Sequence, residues 1–561
     1  MKKSSTIRAL ENKARKDDIN ALFQLAEYYE EGVYVDKDIV QAEEYFSKVV
    51  KLFERQSLQI SSVKLVDFRG FENVEIEFCT QFKHSLNLTV LIGSNGAGKT
   101  TILESLAKNL SWLINIIRSA KNSGRGDVIE ELDIRNNSSL GYTSIITQFL
   151  ITNDIQYDIE LSKSKSGSDQ SRKNNLQNIR QLADIYKYAN SKDAQFNFPI
   201  MAFYSVQRAY DIEKDDIFPF DEVIDQKNWN KFDAYNKTLS GDADFKSFLY
   251  WFKYLEDINN ATSQQNRDVL NAIDKLQAEL DGDLIKEMEK KSNSDKKTKD
   301  FLLSFKQDKQ VEIDKLKAQL AKDQLVDESS TIIKYVTKAI YKFMPEFKNL
   351  RIQRRPFMMF IDKNNTTLNI LQLSKGEQVL LAMVADIVRR LVLLNPSLSD
   401  PLQGRGIVLI DEIDLHLHPK WQQTVIPNLL KTFPNIQFIV TTHSPQVLST
   451  VNSKCIRRLK QNEEQKIIVD IPDIQSQGVA STDVMATQMY IDPVPDIKEA
   501  KMLSQYKAMI QENMHMKNGT KLRKQLNEHF GVNHPEILEC DRLIRLMAMK
   551  SKLSKNTNFM D

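Results

Sequence analysis

Eight consecutive residues have the types and spacing that phosphate binding requires. The pattern G-x-x-x-x-G-K-[ST] is met by Gly93, Ser94, Asn95, Gly96, Ala97, Gly98, Lys99 and Thr100. Glycines let the backbone wrap around an anion, and the amides of such a loop and of the helix after it point at the phosphates. Lys99 supplies positive charge and the Thr100 hydroxyl can bind magnesium. The pattern predicts a site for ATP and Mg²⁺, which includes the neighbouring Thr101.

The elements on either side of this loop are those that must position it. Residues 88–92 read LTVLI, a short apolar run typical of a buried parallel strand. Residues 101–113 carry apolar side chains at i, i+3 and i+4, which predicts a helix. Strand, glycine loop and helix therefore follow one another in the order that phosphate binding needs.

A pair of carboxylates follows a second apolar strand. Residues 406–410 read GIVLI, and Asp411 and Glu412 come directly after them. A buried strand can deliver Asp411 to the magnesium ion, while Glu412 can orient and polarise the attacking water. We interpret the nearby His416 and His418 as turn or packing residues, because no cysteine or third histidine completes a metal site with them.

A third pattern lies between the loop and the carboxylates. The run LSKGEQ places four residues where a helix begins, namely Ser374, Lys375, Gly376 and Glu377. The hydroxyl and the amides at a helix start are free to bind an anion. Ordinary helix starts also meet this pattern, so its position between the two other motifs is what favours a nucleotide-binding role.

In this order the motifs resemble those of ABC-type ATPase heads of the RecF and SMC group. The run KLVDFRGFENVEIEF is similar to the opening of these heads, in which an arginine in a turn lies near the nucleotide, and Arg69 is the matching position. The LSKGE run resembles the ABC signature motif, which in this class completes the nucleotide site of the other protomer. The resemblance implies a homodimer or higher oligomer, with ATP sandwiched between two heads.

The same resemblance assigns two further residues. His443, in the run TTHSP after a strand at 435–440, resembles the switch histidine that contacts the γ-phosphate. Gln207 follows the apolar strand 198–206 and matches the glutamine that senses magnesium and the attacking water in such heads. Gln148 is the competing candidate for that role.

The implied fold is α/β, with an ATPase head in two lobes, a helical or short coiled-coil insertion, and all-α segments at both ends. We expect a Sel1-like helical hairpin at 1–57, an N-lobe with the Walker A loop at 58–210, the insertion at 211–335, a C-lobe with signature, Walker B, D-loop and H-loop at 336–469, and a helical C-terminal region at 470–561. Helical spacing over 270–325 predicts two helices folded back on each other, each only a few tens of Å long.

Composition sets the remaining bounds. The chain has 561 residues, of which 41% are hydrophobic and 27% charged, with a net charge of +2. The two signs are interspersed, so the overall charge gives no argument for nucleic-acid or membrane binding. Three cysteines lie far apart without a CxxC pair, and no apolar run reaches membrane-spanning length. We expect a soluble, cytoplasmic protein with reduced thiols and no membrane partner.

The C-terminal region leaves two interpretations open. Arg523 and His529 match the loose R-x(4-6)-H pattern of HEPN ribonucleases, which would make the chain a nuclease by itself. An arginine and a histidine often occur together by chance on a charged helix. We therefore favour a docking surface for a separate effector.

The whole arrangement resembles PtuA, the ATPase of Septu anti-phage systems, in its retron-associated form. That resemblance implies a PtuB-like HNH nuclease as partner, held and either restrained or activated by the ATPase, together with a reverse transcriptase and its multicopy single-stranded DNA (msDNA). The alternative is a RecF- or SMC-like ATPase that acts directly on DNA in repair. Long coiled arms and a basic head surface would favour that alternative, and the sequence shows neither clearly.

Overall fold

The chain forms two compact units, Met1–Val479 and Ala480–Asp561. The computed structural model describes residues 5–54, 57–78, 87–119, 123–138, 140–151, 155–169, 171–209, 229–282, 296–325, 328–512 and 519–557. Its strands are β1 (Leu58–Phe68), β2 (Phe71–Glu77), β3 (Leu88–Gly93), β4 (Tyr142–Ile151), β5 (Ile155–Ser164), β6 (Ile200–Tyr204), β7 (Phe347–Arg354), β8 (Phe357–Lys363), β9 (Thr366–Asn369), β10 (Gly406–Ile410), β11 (Ile436–Thr441), β12 (Ile456–Gln461) and β13 (Ile467–Asp470).

The helices of the first unit connect and cover these strands. They are α1 (Ser5–Ala14), α2 (Ile19–Glu31), α3 (Ile39–Glu54), α4 (Lys99–Arg118), α5 (Gln177–Lys192), α6 (Phe245–Asp281), α7 (Lys296–Leu325), α8 (Glu328–Phe343), α9 (Lys375–Leu394), α10 (Pro419–Gln422), α11 (Val425–Thr432) and α12 (Pro445–Leu448). The mixed α/β architecture confirms the predicted fold class.

A six-stranded sheet forms the centre of the first unit, in the order β13-β12-β3-β11-β10-β6. The five strands from β12 to β6 are parallel, and β13 is an antiparallel edge strand. Every residue of β6, β10 and β11 is buried, as expected for parallel strands covered on both faces. Because parallel strands share a direction, the residues that follow β3, β11, β10 and β6 lie at one edge of the sheet.

A second sheet carries the turn at Arg69. It is antiparallel, in the order β2-β1-β4-β5, and β1 and β2 are joined by the tight turn predicted from the sequence. The side chain of Gln437 in β11 ties it to the central sheet: its Nε2 donates to the carbonyl of Ile60 at 2.9 Å and its Oε1 accepts from the Ile60 amide at 2.7 Å. A third sheet is the meander β7-β8-β9.

The N-terminal helices form the predicted hairpin and pack on α5. The ring of Phe46 in α3 stacks on Tyr188 of α5 with centroids 3.7 Å apart, and Phe53 meets Tyr186 edge-to-face at 4.7 Å. One helical hairpin cannot bury its own apolar face, and the packing on α5 covers that face. The likeness of the hairpin to a Sel1 repeat stays a prediction.

The insertion contains the predicted pair of helices. Ile273 and Leu276 of α6 form a small apolar cluster with Ile313 of α7, and Lys309 pairs with Glu279 at 2.9 Å. The aromatic-rich run 245–258, which the sequence predicts to be a helix, and the first arm form one continuous helix, α6, whose first turns are buried among apolar residues. The sequence also predicts an interruption of the two arms near 290–294, which lies outside the described residues.

The second unit is helical, with α13 (Ser481–Gln488), α14 (Lys498–Gln511), α15 (Thr520–Phe530) and α16 (Pro535–Thr557). Its core consists of Tyr506, Ile510, Leu526, Ile537 and Cys540. The domain limits predicted from the sequence stay predictions, although this unit begins at Ala480, ten residues after the predicted boundary.

Candidate active site

The phosphate loop lies between β3 and α4, as the sequence predicts. Gly98 has a left-handed φ of +92°, and a Cβ there would lie 2.4 Å from the ring of Phe71, so only glycine fits. Phe71 opens β2, directly after the turn that carries Arg69. The second sheet therefore supports the loop from behind, while Ser94, Asn95 and Gly96 are exposed.

Lys99 is the first residue of α4 and is held across the loop. Its ammonium group donates to the carbonyls of Gly93 at 3.0 Å and Ser94 at 3.1 Å. Burial lowers the pKa of Lys99 from its ordinary value, and the negative charges of Asp411, Glu412 and Asp414 act against this fall. An arriving phosphate would add negative charge beside a cation already fixed in position.

Asp411 lies at the end of β10 and is bound by two hydroxyl groups. Thr100 donates to one of its oxygens at 2.8 Å, and Thr441 donates to the other at 2.6 Å. Carboxylate and hydroxyl oxygens are ligands that Mg²⁺ accepts, with phosphates and water completing its octahedron. Within the described residues no cluster of three His, Cys, Asp or Glu side chains could hold a metal. A magnesium ion bridging protein and nucleotide does not require such a cluster.

Glu412 and His443 flank this carboxylate on neighbouring strands. The backbone of Glu412 has a φ of +46°, and its amide donates to the Thr441 hydroxyl at 2.7 Å. Burial and the positive charge of Lys99 lower the pKa of His443, against the influence of Glu412, Asp414 and Asp411. The imidazole is therefore neutral at pH 7 and can donate or accept one hydrogen bond at the site.

The signature residues form a capped helix start. Ser374 is the N-cap of α9, and its hydroxyl and amide both donate to the Glu377 carboxylate, at 2.8 and 3.0 Å. Lys363 of β8 also binds Glu377. These hydrogen bonds hold the pKa of Glu377 below its usual value, although burial opposes the shift. A Cβ at Gly376 would lie 2.5 Å from the carbonyl of His416, so α9 begins against the loop that follows Asp411 and Glu412.

The two glutamines lie in different sheets. Gln207 follows β6, which pairs with β10, so it belongs to the same edge as Asp411, and its side chain is exposed. Gln148 lies within β4 of the antiparallel sheet and accepts a hydrogen bond from Ser62 at 3.2 Å. This placement favours Gln207 as the residue facing a bound nucleotide.

Comparison with known proteins identifies the family. The chain is 36% identical over 538 residues to "Retron Ec83 probable ATPase" of Escherichia coli, covering 95% of this chain and 96% of that protein. It is 35% identical over 130 residues to "Septu protein PtuA" of Bacillus mycoides (strain KBAB4), covering 23% of this chain and 18% of that one. Residues 88–449 match the family described as "AAA domain, putative AbiEii toxin, Type IV TA system". The chain belongs to the PtuA-type ATPases of retron and Septu systems.

Solved structures similar to this PtuA-type ATPase include an Smc head domain from Pyrococcus furiosus with an extended coiled coil, bound to the C-terminal domain of ScpA. The identity is 13%, the TM-score is 0.36, and the match covers 74% of this chain and 96% of that one. This distant likeness carries no argument about function. Among the described residues, no helix is both long and apolar enough to cross a membrane.

Three features of the PtuA-type site were not predicted from the sequence. The Thr441 hydroxyl donates to the Asp411 carboxylate and accepts from the Glu412 backbone amide, and the only sequence signal for Thr441 is its place two residues before His443. Phe71 supports Gly98 from another sheet. Arg69 is bound by Asp133 at 2.8 Å and by Glu104 of α4, so a nucleotide would have to compete with two carboxylates for its guanidinium.

The residues of the alternative ribonuclease pattern both lie on α15. Arg523 pairs with Asp541 at 2.8 Å and its guanidinium lies 5.7 Å from the centre of the Tyr506 ring, whereas His529 is exposed. Arg523 thus has a packing role within the helical unit. That role gives the ribonuclease interpretation no support.

Proposed function

We propose that this PtuA-type ATPase works as an ATP-dependent clamp in an anti-phage defence complex. Two heads would hold ATP between them, with Ser374, Lys375 and Gly376 of one copy facing the phosphates bound by the other. The clamp would restrain or activate a PtuB-like HNH nuclease, and the complex would include a reverse transcriptase and msDNA. The supporting observation is that Lys99, Asp411, Glu412 and His443 meet at one edge of the parallel sheet.

Each residue has a distinct part in the proposed hydrolysis. Lys99 and the loop amides would bind the β- and γ-phosphates, and His443 would contact the γ-phosphate. Thr100, Asp411 and Gln207 would hold magnesium, which neutralises charge developing on the phosphates. Glu412 would polarise the attacking water. Arg69 would reach the nucleotide only after leaving Asp133 or Glu104.

Two substitutions test this assignment. Lys99→Ala should abolish ATP turnover because it removes the cation that binds the phosphates. Glu412→Gln should also abolish turnover yet retain ATP, because it removes the base and leaves the phosphate contacts, so an ATP-bound dimer should accumulate. Phosphate release and light scattering after size exclusion would measure the two effects. Lys192→Ala, at an exposed lysine paired with Glu43, is a matched control. Normal turnover in either site variant would refute the assignment.

The partners require a separate experiment. The tagged protein would be purified gently from its native gene neighbourhood, and the proteins and nucleic acids that accompany it identified by mass spectrometry and sequencing. An HNH protein with a reverse transcriptase and branched DNA would support the defence complex. Recovery of the ATPase alone or with bulk chromosomal DNA would favour the repair ATPase instead. The short insertion speaks against the repair reading, since the 37 residues of α6 span only about 55 Å.

A further inference from the structure

A cavity of about 200 Å³ lies at the opposite edge of the central sheet from the ATP site. Pro199, Arg405 and Asn435 line it, and each precedes one of the parallel strands β6, β10 and β11. The ATP-site residues follow the same strands. A five-residue strand spans about 16 Å, so the two sites lie about one strand length apart.

Aromatic rings form one side of this cavity. Phe53 comes from the N-terminal hairpin, Tyr186 from α5, and Phe196 and Phe198 from the segment before β6. Tyr186 stacks on Phe198 with centroids 5.4 Å apart and an interplanar angle of 25°, and Phe196 meets Phe198 edge-to-face. These rings pack on one another and none is more than 5% exposed, so together they form an apolar wall of the cavity.

Polar groups line the remaining sides. The carboxamides of Asn197, Asn395 and Asn435 each carry both a donor and an acceptor. The guanidinium of Arg405 also lines the cavity, and it donates to the Glu54 carbonyl at 3.5 Å. The cavity therefore combines an aromatic wall with hydrogen-bonding groups and one cation.

Two of the residues that line the cavity have a polar atom to which none of the described residues forms a hydrogen bond. Tyr186 is 5% exposed, and none of those residues hydrogen-bonds to its hydroxyl. Asn395 is 2% exposed; its Nδ2 donates to the Leu391 carbonyl at 2.9 Å, whereas its Oδ1 accepts from none of them. Burial raises the pKa of Tyr186, so the hydroxyl remains a donor at every physiological pH. The hydroxyl can donate to a ligand in the cavity, and the carboxamide oxygen can accept from one.

We propose that this cavity binds a nucleobase. A base is flat enough to lie against the aromatic wall, and its edge presents the alternating donors and acceptors that carboxamides match. The volume is below the range of pockets that hold drug-sized molecules, and it suits a single ring system. Arg405 could form an ion pair with a phosphate attached to the same nucleoside. The base belongs either to a free nucleoside or nucleotide or to the end of a nucleic-acid strand.

The test uses the full-length protein and ligands that the phosphate loop cannot hold. Adenosine, guanosine, cytidine and uridine lack phosphates, and their binding would be followed by saturation-transfer NMR and calorimetry. Tyr186→Phe removes only the hydroxyl, so the affinity should fall about five-fold. Its melting temperature and ATP turnover should be unchanged. Asn197→Trp, at a half-buried wall residue, should fill the cavity and abolish binding.

A second arm distinguishes the two sources of the base. Short single strands with an unpaired terminal base would be compared with the matching nucleoside. If the single-stranded nucleic acid binds more tightly than the nucleoside, and Asn197→Trp removes this difference, the ligand is the end of a strand. If the two bind with equal affinity, the ligand is the free nucleoside. The proposal is overturned if neither probe binds at millimolar concentration, which would leave water as the partner of Tyr186. Binding that is equally strong in both variants would overturn it as well.

Discussion

Two buried aspartates in the ATPase head differ in the groups that bind them. Asp411, at the end of β10, is 1% exposed and accepts hydrogen bonds from the hydroxyls of Thr100 and Thr441. Asp386, within α9, is fully buried and accepts from the guanidiniums of Arg389 at 2.8 Å and Arg390 at 2.7 Å. The two carboxylates are therefore almost equally buried, but hydroxyl groups bind Asp411 and guanidinium groups bind Asp386.

One carboxylate is bound by neutral hydroxyls and the other by two cations. A hydroxyl is neutral and can rotate, so Thr100 can turn its oxygen from donor into magnesium ligand while Asp411 keeps its charge for the metal. Guanidiniums are always charged and neutralise their partner. Arg390 and Arg389 hold the pKa of Asp386 below its ordinary value despite complete burial, which acts in the opposite direction.

The structural cluster, formed by Asp386, Arg389 and Arg390, joins α9 to β6. Tyr204, the last residue of β6, donates to Asp386 at 2.9 Å, three residues before Gln207. Arg390 also donates to the carbonyls of Ala234 and Asn236. Because α9 begins at Lys375, directly after Ser374, the cluster fixes this helix to the strand that precedes Gln207.

The largest effect on activity is expected at Asp411. Asp411→Asn keeps the shape, and its amide can accept from one threonine hydroxyl and donate to the other, but it loses the charge that binds magnesium. We expect ATP turnover to fall by about 100-fold or more, with little change in melting temperature. Steady-state phosphate release at saturating magnesium measures the first quantity and thermal unfolding the second. An active variant would show that Asp411 is structural, like Asp386.

The largest effect on stability is expected at Asp386. Asp386→Ala leaves two buried guanidiniums without their main partner, which should cost about 3–5 kcal/mol in the free energy of unfolding. Urea unfolding followed by tryptophan fluorescence measures this cost. Tyr204→Phe removes one hydrogen bond from an uncharged donor to the same carboxylate and should cost less, about 2 kcal/mol. If the two variants were equally stable, the difference between the aspartates would not lie in charge neutralisation.

Much of the candidate site could be predicted from the sequence because its parts are local. A glycine loop between a strand and a helix, and two carboxylates after an apolar run, require only the neighbouring residues to be recognised. Thr441 could not be found in this way. Its contact with Asp411 depends on the parallel pairing of Ile410 with Val440, which is a property of the folded sheet.

The structural cluster was missed for a similar reason. Asp386, Arg389 and Arg390 have the i, i+3 and i+4 spacing of an exposed ion-pair face, and nothing local indicates that residues 231–235 cover it. The helix α5 was also missed, although Ile179, Leu182 and Tyr186 have helical spacing. The helical spacing of α5 is visible in the sequence, and the helix was missed only because it follows a polar run.

A third carboxyl group, that of Glu27, has other carboxylates around it instead of hydroxyls or cations. Burial, followed by the charges of Asp184, Glu31 and Glu30, raises the pKa of Glu27 in α2 to about 7, from an ordinary value of 4.5. Between these two pH values the folded chain keeps a proton that the unfolded chain has lost. Stability from this residue is therefore present at pH 4.5 and is lost as the pH rises to 7.

Glu27→Gln should cancel this loss because the amide has no proton to release. The variant and the parent should be similarly stable at pH 4.5, and the variant should be more stable at pH 8. Since Glu27 is only half-buried, solvent screening limits the gain to about 1 kcal/mol. Urea midpoints at the two pH values measure it, with Glu44→Gln at an exposed site of α3 as control. An equal gain at both pH values would mean that Glu27 acts through packing, so its charge state would not set it apart from the two aspartates.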